Sequence, residues 1–169
     1  MNNLCRQAAV IFLISEYGGI MRKCLWAQFC LVVFLAFVAT ACTQDDSYNY
    51  ISPAELKERL DAGEVEQGSL VVFSSQTEEE WESGYLPQAI PTFARPLESD
   101  EDYAKLEPVL DKVRGTDADI VVICPRGGSG ATRPCDYLMD HGIDEDRLLI
   151  LEGGQEAYND EFPEDVVFP

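Results

Sequence analysis

Histidine and positive charge are what this sequence has least of. One histidine, His141, stands among 169 residues, so neither a His-based catalytic triad nor a zinc site of the usual composition can be built. Twelve Lys and Arg face 31 Asp and Glu, a net charge of −19. Residues 1–41 hold Arg6, Arg22, Lys23 and Glu16, a net of +2, so residues 42–169 carry −21. A domain this acidic repels nucleic acid and anionic head groups, whose phosphates are held by clustered Lys and Arg. Nucleic acid is therefore not expected as a partner, and the acidity reads as a device of solubility. Asp144-Glu145-Asp146 lacks the spaced pattern of a calcium loop and reads as a solvated turn. No internal repeat is visible, no metal or cofactor is called for, and the domain is read as a monomer. No apolar run reaches the roughly 20 residues that span a bilayer.

The longest apolar run belongs to the N-terminal segment. Met21-Arg22-Lys23 is a short basic start, Leu25 to Val38 is apolar apart mainly from Gln28, and Ala39-Thr40-Ala41 is a run of small residues before Cys42. That layout is a secretory signal peptide over residues 1–41. Residues 1–20 add nothing to it, which leaves Met21 as an alternative start. The ending Ala39-Thr40-Ala41-Cys42 resembles the lipobox of bacterial lipoproteins, with Ala39 where a large aliphatic residue is usual. The resemblance implies a lipidated Cys42 that holds the protein to a membrane of the cell envelope, on the periplasmic side. Thr43 in place of Asp points to the outer membrane. Ordinary cleavage leaving a free Cys42, or an uncleaved anchor, are the alternatives. Residues 42–50 read as a polar tether and residues 51–169 as one domain.

Within that domain extended and helical patterns alternate. Ser52-Pro53-Ala54-Glu55 is a helix start with a cap, a proline and a capping-box glutamate. Three short apolar runs, 69–74, 119–123 and 148–151, read as strands buried on both faces. Residues 77–81 predict a short acidic helix, and 86–91 a turn with a short extended piece. A helix is predicted over 102–113, with Tyr103, Leu106, Val109, Leu110 and Val113 on one face, and another over 133–141. The pattern is α/β: a three-layer sandwich with a central, mainly parallel sheet flanked by helices.

Chemistry concentrates just past the second of these strands. Cys124 follows Ile120-Val121-Val122-Ile123, and Pro125, Arg126, Gly127, Gly128, Ser129 and Gly130 follow it. Parallel sheets bind ligands at the carboxyl ends of their strands. Glycines let several N–H groups converge, and the next helix, expected from about Thr132-Arg133-Pro134, adds its N-terminal donors and dipole. Arg126 and Arg133 add positive charge. Each of these favours a thiolate nucleophile over a thiol. The loop suits a small, polar or anionic ligand. Cys135, eleven residues on, is a candidate resolving thiol in an oxidising compartment, or a core residue of the helix. Trp81 and Tyr158 read as packing.

Four landmarks resemble the rhodanese family. Ile51-Ser52-Pro53-Ala54-Glu55-Leu56 resembles its opening helix. The run Glu80-Trp81-Glu82-Ser83-Gly84-Tyr85-Leu86-Pro87-Gln88-Ala89-Ile90 resembles its "EYxxGHIPGAI" segment. Val122-Ile123-Cys124-Pro125-Arg126-Gly127 resembles its active-site strand and loop, and Leu151-Glu152-Gly153-Gly154-Gln155-Glu156-Ala157-Tyr158 its "LxGGxxAW". The resemblance implies a sulfurtransferase that carries sulfane sulfur as a persulfide on Cys124 and passes it to a thiol acceptor or cyanide. The backbone N–H groups of residues 125–130 then hold the transferred sulfur or an oxyanion. The sequence also departs from the pattern. Ser74-Ser75-Gln76 replaces the usual Asp-x-Arg brace, and Tyr85 replaces a His. The distance from Cys124 to the glycine ending the next helix is one residue longer than usual, which predicts a longer loop. Phosphatases of this fold need Arg six residues after the Cys, where this chain has Gly130. A phosphatase-like or thiol-redox enzyme, or a non-catalytic module that holds an anion or a partner, are the alternatives.

Overall fold

The computed structural model describes residues 47–168. The expected signal segment and Cys42 lie outside the described residues. Five strands form one sheet: β1 (Asn49–Ile51), β2 (Leu70–Ser74), β3 (Ile90–Pro91), β4 (Asp119–Ile123) and β5 (Leu148–Leu151). Their order is β1-β5-β4-β2-β3, and every pairing is parallel. β4 lies at the centre, with Phe73 and Ile150 on either side of Val122. The three apolar runs supply the three inner strands because side chains without polar atoms can be covered on both faces without leaving a hydrogen bond unmade.

The strand pleat sorts these residues into two cores. Val71, Phe73, Ile120, Val122 and Ile150 point to one face of the sheet. Covering them are α4 (Asp100–Ala104), α5 (Glu107–Val113) and α6 (Ser129–Asp140). Leu70, Val72, Val121, Ile123 and Leu151 point to the other face. There they meet Leu56 of α1 (Pro53–Asp61) and Tyr158 of α7 (Gly154–Glu161). Two shorter helices, α2 (Glu64–Gln67) and α3 (Glu78–Glu82), join the layers to the strands. The fold is the three-layer α/β sandwich expected. α1 starts at the expected cap and proline: the Ser52 hydroxyl accepts from the Glu55 N–H at 3.2 Å, with Pro53 as the opening residue. Among the described residues no helix is long and apolar enough to cross a membrane.

Three element boundaries differ from expectation, each for a physical reason. Asn49 and Tyr50 belong to an edge strand, since β1 pairs Asn49 with Leu149 and Ile51 with Leu151. An edge strand needs only one buried side, and three residues of which only Ile51 is buried carry no apolar alternation to announce it. The helix expected over 102–113 is two helices, α4 and α5. Pro108 has no N–H to donate to the Ala104 carbonyl one turn back, so a continuous helix breaks there and the chain restarts. α6 begins at Ser129, not near Thr132, so five residues, Cys124–Gly128, separate it from β4.

Candidate active site

Cys124 continues the alternation of Ile120 and Val122 and so falls on their side of the sheet, 2% exposed. Its Sγ accepts a hydrogen bond from the Gly127 N–H at 3.1 Å. α6 begins directly after the loop, with Gly128 as its cap. The first N–H groups of a helix have no partner inside it, and its dipole is positive at that end. Ser129 and Gly130 bring both to the rim of the cavity above the thiol. Gly130 packs closely on the thiol: a Cβ there would stand 3.2 Å from Cys124 Cβ, tighter than ordinary contact, and 3.6 Å from Sγ.

The first turn of α7 supports the loop from below. The N–H of Gln155 donates to the Cys124 carbonyl at 2.8 Å, and that of Glu156 to the Pro125 carbonyl at 3.0 Å. Contact this close depends on Gly154, whose backbone is left-handed at φ +64°. A Cβ at Gly154 would come within 2.2 Å of the Cys124 carbonyl oxygen and 2.5 Å of the Arg126 nitrogen. The Gly153-Gly154 pair is therefore the floor under the active-site loop.

The segment Ser74-Ser75-Gln76 braces the site in two directions. Ser74 Oγ donates to Gln76 Oε1 at 2.8 Å, and Gln76 Nε2 donates to the Glu80 carbonyl at 3.1 Å, tying β2 to α3. Ser75 Oγ donates to the Gly130 carbonyl at 2.8 Å. That carbonyl lacks its usual partner four residues on, because the residue there is Pro134. Ser75 supplies the missing donor. Its own N–H also reaches the Ile123 carbonyl at 2.8 Å. Ser75 thus joins the end of β4 to the first turn of α6, across the loop that carries Cys124.

A depression of about 170 Å³ lies over the thiol, lined by Cys124, Pro125, Arg126, Gly128, Ser129 and Gly130, together with Arg95. Gly127 is placed beneath it by its bond to Sγ. Arg126 is a rim residue, its side chain 78% exposed and its Nε donating to Glu156 Oε1 at 3.1 Å. Arg133 does not line this depression. It borders a neighbouring one of about 180 Å³, lined by Arg95, Pro96, Leu97, Ser129, Gly130 and Arg133, and its Nη1 donates to the Leu97 carbonyl at 3.3 Å. Arg95 sits in both, a position that no local sequence motif marks. It is ion-paired with Glu80, whose other carboxylate oxygen accepts the Thr77 N–H at 2.9 Å to cap α3. The sequence signal available for it was scarcity alone: an arginine in an acidic chain, beyond the landmark that Glu80 opens.

Cys135 faces the core and is buried, and neither it nor Cys124 is in a disulfide. Burial, then Asp136 and Cys124 nearby, push its thiol up to about 12 from an ordinary 9.0. His141 closes α6 at the surface, its Nδ1 2.7 Å from the Tyr137 carbonyl. Trp81 stacks on Tyr85 with ring centroids 4.1 Å apart, and Tyr158 is fully buried. Both act in packing. A larger hollow of about 380 Å³ holds Asp100, Glu107, Asp136 and Asp140 but not Cys124. Four carboxylates disfavour an anion, so the smaller depression over the thiol is the candidate site.

Solved structures with this arrangement of strands and helices are numerous. An arsenic–antimony reductase from Leishmania major is 20% identical, with a TM-score of 0.53 over 69% of this chain and 80% of its own. A rhodanese-related protein from Thermoplasma volcanium is 20% identical, with a TM-score of 0.50 over 72% of this chain and all of its own. A yeast protein tyrosine phosphatase of the rhodanese family is 16% identical, with a TM-score of 0.55 over 72% of this chain and 93% of its own. Identities this low speak for the fold and leave the chemistry open. No curated protein matches the sequence. The sequence pattern of the rhodanese-like domain matches residues 52–161, from the cap of α1 to the end of α7 and through the whole of the Cys124 loop, and by that match the chain belongs to the rhodanese-like domain family.

Proposed function

We propose that the protein is a sulfurtransferase that carries sulfane sulfur as a persulfide on Cys124. The observation that carries the reading is the environment of Sγ: a thiol at the end of the central strand, under a depression of about 170 Å³, with the Gly127 N–H bonded to it at 3.1 Å. Thiosulfate is the simplest donor. Thiolate attack on its outer sulfur breaks the S–S bond, and sulfite leaves with the electron pair. The N–H groups that met the thiolate then meet the terminal sulfur of the persulfide, a larger and softer anion in the same place. Phosphoester hydrolysis is less well served. The sixth residue after Cys124 is Gly130, in the first turn of α6 and without a side chain, while Arg126 turns to Glu156. A redox partnership with Cys135 is disfavoured by a thiol that stays protonated far above neutral pH.

The proposal extends to location. The run from Met21 to Cys42 supports export and lipid attachment at Cys42 in the cell envelope, with a small thiol as the soluble partner. Incorporation of labelled fatty acid into the protein, lost in Cys42→Ser, is the expected result; unlabelled protein overturns this part. The activity is tested by sulfur transfer from thiosulfate to cyanide. Transfer by the parent and by Cys135→Ser, and none by Cys124→Ser, is expected. Absence of transfer with thiosulfate and with organic persulfide donors favours instead a module that only holds an anion or a partner.

A further inference from the structure

Two neighbouring depressions share Arg95, Ser129 and Gly130 as lining residues. One end holds Cys124. The other is lined by Arg95 and Arg133 and by no carboxylate. The composition of the whole domain makes this arrangement informative. Residues 42–169 hold nine Lys and Arg, twelve less the three in residues 1–41, against 30 Asp and Glu. Three of those nine, Arg95, Arg126 and Arg133, border the two depressions.

The two guanidiniums at the far end differ in what compensates them. Arg95 is ion-paired with Glu80, which holds it in place and offsets much of its charge. Arg133 takes part in no ion pair among the described residues, and its hydrogen bond goes to a neutral carbonyl. Arg133 also lines the large hollow, together with Asp100, Glu107, Asp136 and Asp140. An anion approaching Arg133 is therefore repelled from that hollow and admitted from the side of Arg95.

We infer that this second end is a subsite for the charged tail of the sulfur acceptor, an organic thiol bearing a carboxylate at its other end. The inference rests on the persulfide reading of Cys124. In the persulfide the reactive sulfur lies one bond beyond Sγ, outward from a buried thiol and toward the rim where Arg95 stands. The acceptor thiolate attacks that outer sulfur. A new S–S bond forms to the acceptor, the bond to Cys124 Sγ breaks, and the electron pair returns to Sγ as thiolate, so that no oxidant or reductant enters. An acceptor placed for this attack has its remaining atoms over Ser129 and Gly130 and its carboxylate between Arg95 and Arg133. Cyanide has no second anionic group to offer the far end, so the second depression distinguishes a carboxylated thiol from it.

The test uses the whole protein and two short acceptors, neutral mercaptoethanol and anionic 3-mercaptopropionate, compared at equal thiolate concentration. Cys124 is loaded from thiosulfate, loading is read by intact mass, and discharge is followed for each acceptor. KM for mercaptopropionate is expected to be about tenfold below that for mercaptoethanol, equivalent to about 1.4 kcal/mol. The ratio is expected to fall toward one in Arg133→Gln and in Arg95→Gln, and in the unaltered protein as ionic strength rises. A loaded persulfide that discharges to both thiols with equal KM, or a ratio that Arg133→Gln leaves unchanged, overturns the subsite while leaving the sulfurtransferase reading intact. A failure to load overturns that reading, and the subsite with it.

Discussion

Gly154 carries the most exacting single position in the site. Its left-handed backbone at φ +64° costs about 1–3 kcal/mol when imposed on a residue with a side chain. An added Cβ would also drive into the Cys124 carbonyl oxygen at 2.2 Å, a backbone atom that moves only if the loop moves. Gly154→Ala is expected to lower stability by at least that amount and to abolish sulfur transfer, read by urea unfolding and by the cyanide assay. Unchanged transfer would show that the floor does not set the loop. At Cys135 the sign of the pH effect follows from a thiol raised to about 12 from 9.0 by burial. Below pH 9 the thiol is protonated in both the folded and the unfolded chain. Between 9 and 12 the unfolded chain ionises it and the folded chain does not, so stability falls as pH rises through that window. Tyr158, raised above its ordinary 10.0 by burial and by its bond to Asp165, adds to the same fall. A urea midpoint that declines above pH 9 is expected, together with a Cys135 that a small alkylating reagent labels only in denaturant. Rapid labelling of Cys135 in the folded protein would contradict its placement.

Among the elements, the inner strands were legible because each is a run of apolar residues, and a parallel strand covered on both faces has no other way to be written. The edge strands β1 and β3 were not fully legible, being two or three residues long with one side open. The break before α5 was announced by Pro108 but outweighed by an apolar spacing that runs through it. Buried Leu106 sits at the junction and keeps the stripe continuous across two helices. The start of α6 lies ahead of where its pattern suggests for the opposite reason, since Gly128, Ser129 and Gly130 look like loop residues and yet open a helix. Of the site, Cys124 and the glycines were legible from local pattern. Arg95 and Ser75 were not, because their roles lie in contacts with Glu80 and with the Gly130 carbonyl, which the linear sequence does not display. The role assigned to Ser75 can be tested at this scale. Ser75→Ala leaves the Gly130 carbonyl without a donor and is expected to cost about 1–3 kcal/mol. It should slow sulfur transfer further by loosening the first turn of α6. A stability loss with full activity would show that the brace supports the fold but not the loop.

The molecule as a whole combines an acidic domain with a cationic rim around one thiol. A net charge of −21 over residues 42–169 repels itself, and salt screens the repulsion as the Debye length falls from about 30 Å at about 0.01 M to about 3 Å at about 1 M. The melting temperature is expected to rise over that range of sodium chloride; a fall would mean that attractive ion pairs such as Arg59 with Glu64 and Asp119 outweigh the self-repulsion. Against that field, Arg95, Arg126 and Arg133 and the open end of α6 make the Cys124 cavity the place where a small anion is admitted. The sheet order delivers this geometry by placing the central strand between β5 and β2, so that the Gly153-Gly154 turn lies below the loop and Ser75 beside it. All of this converges on a persulfide at one residue. Intact mass spectrometry after incubation with thiosulfate measures it directly. The account predicts the added mass of one sulfur atom on the parent and on Cys135→Ser and no addition on Cys124→Ser; an unmodified parent, or sulfur retained by Cys124→Ser, would contradict it.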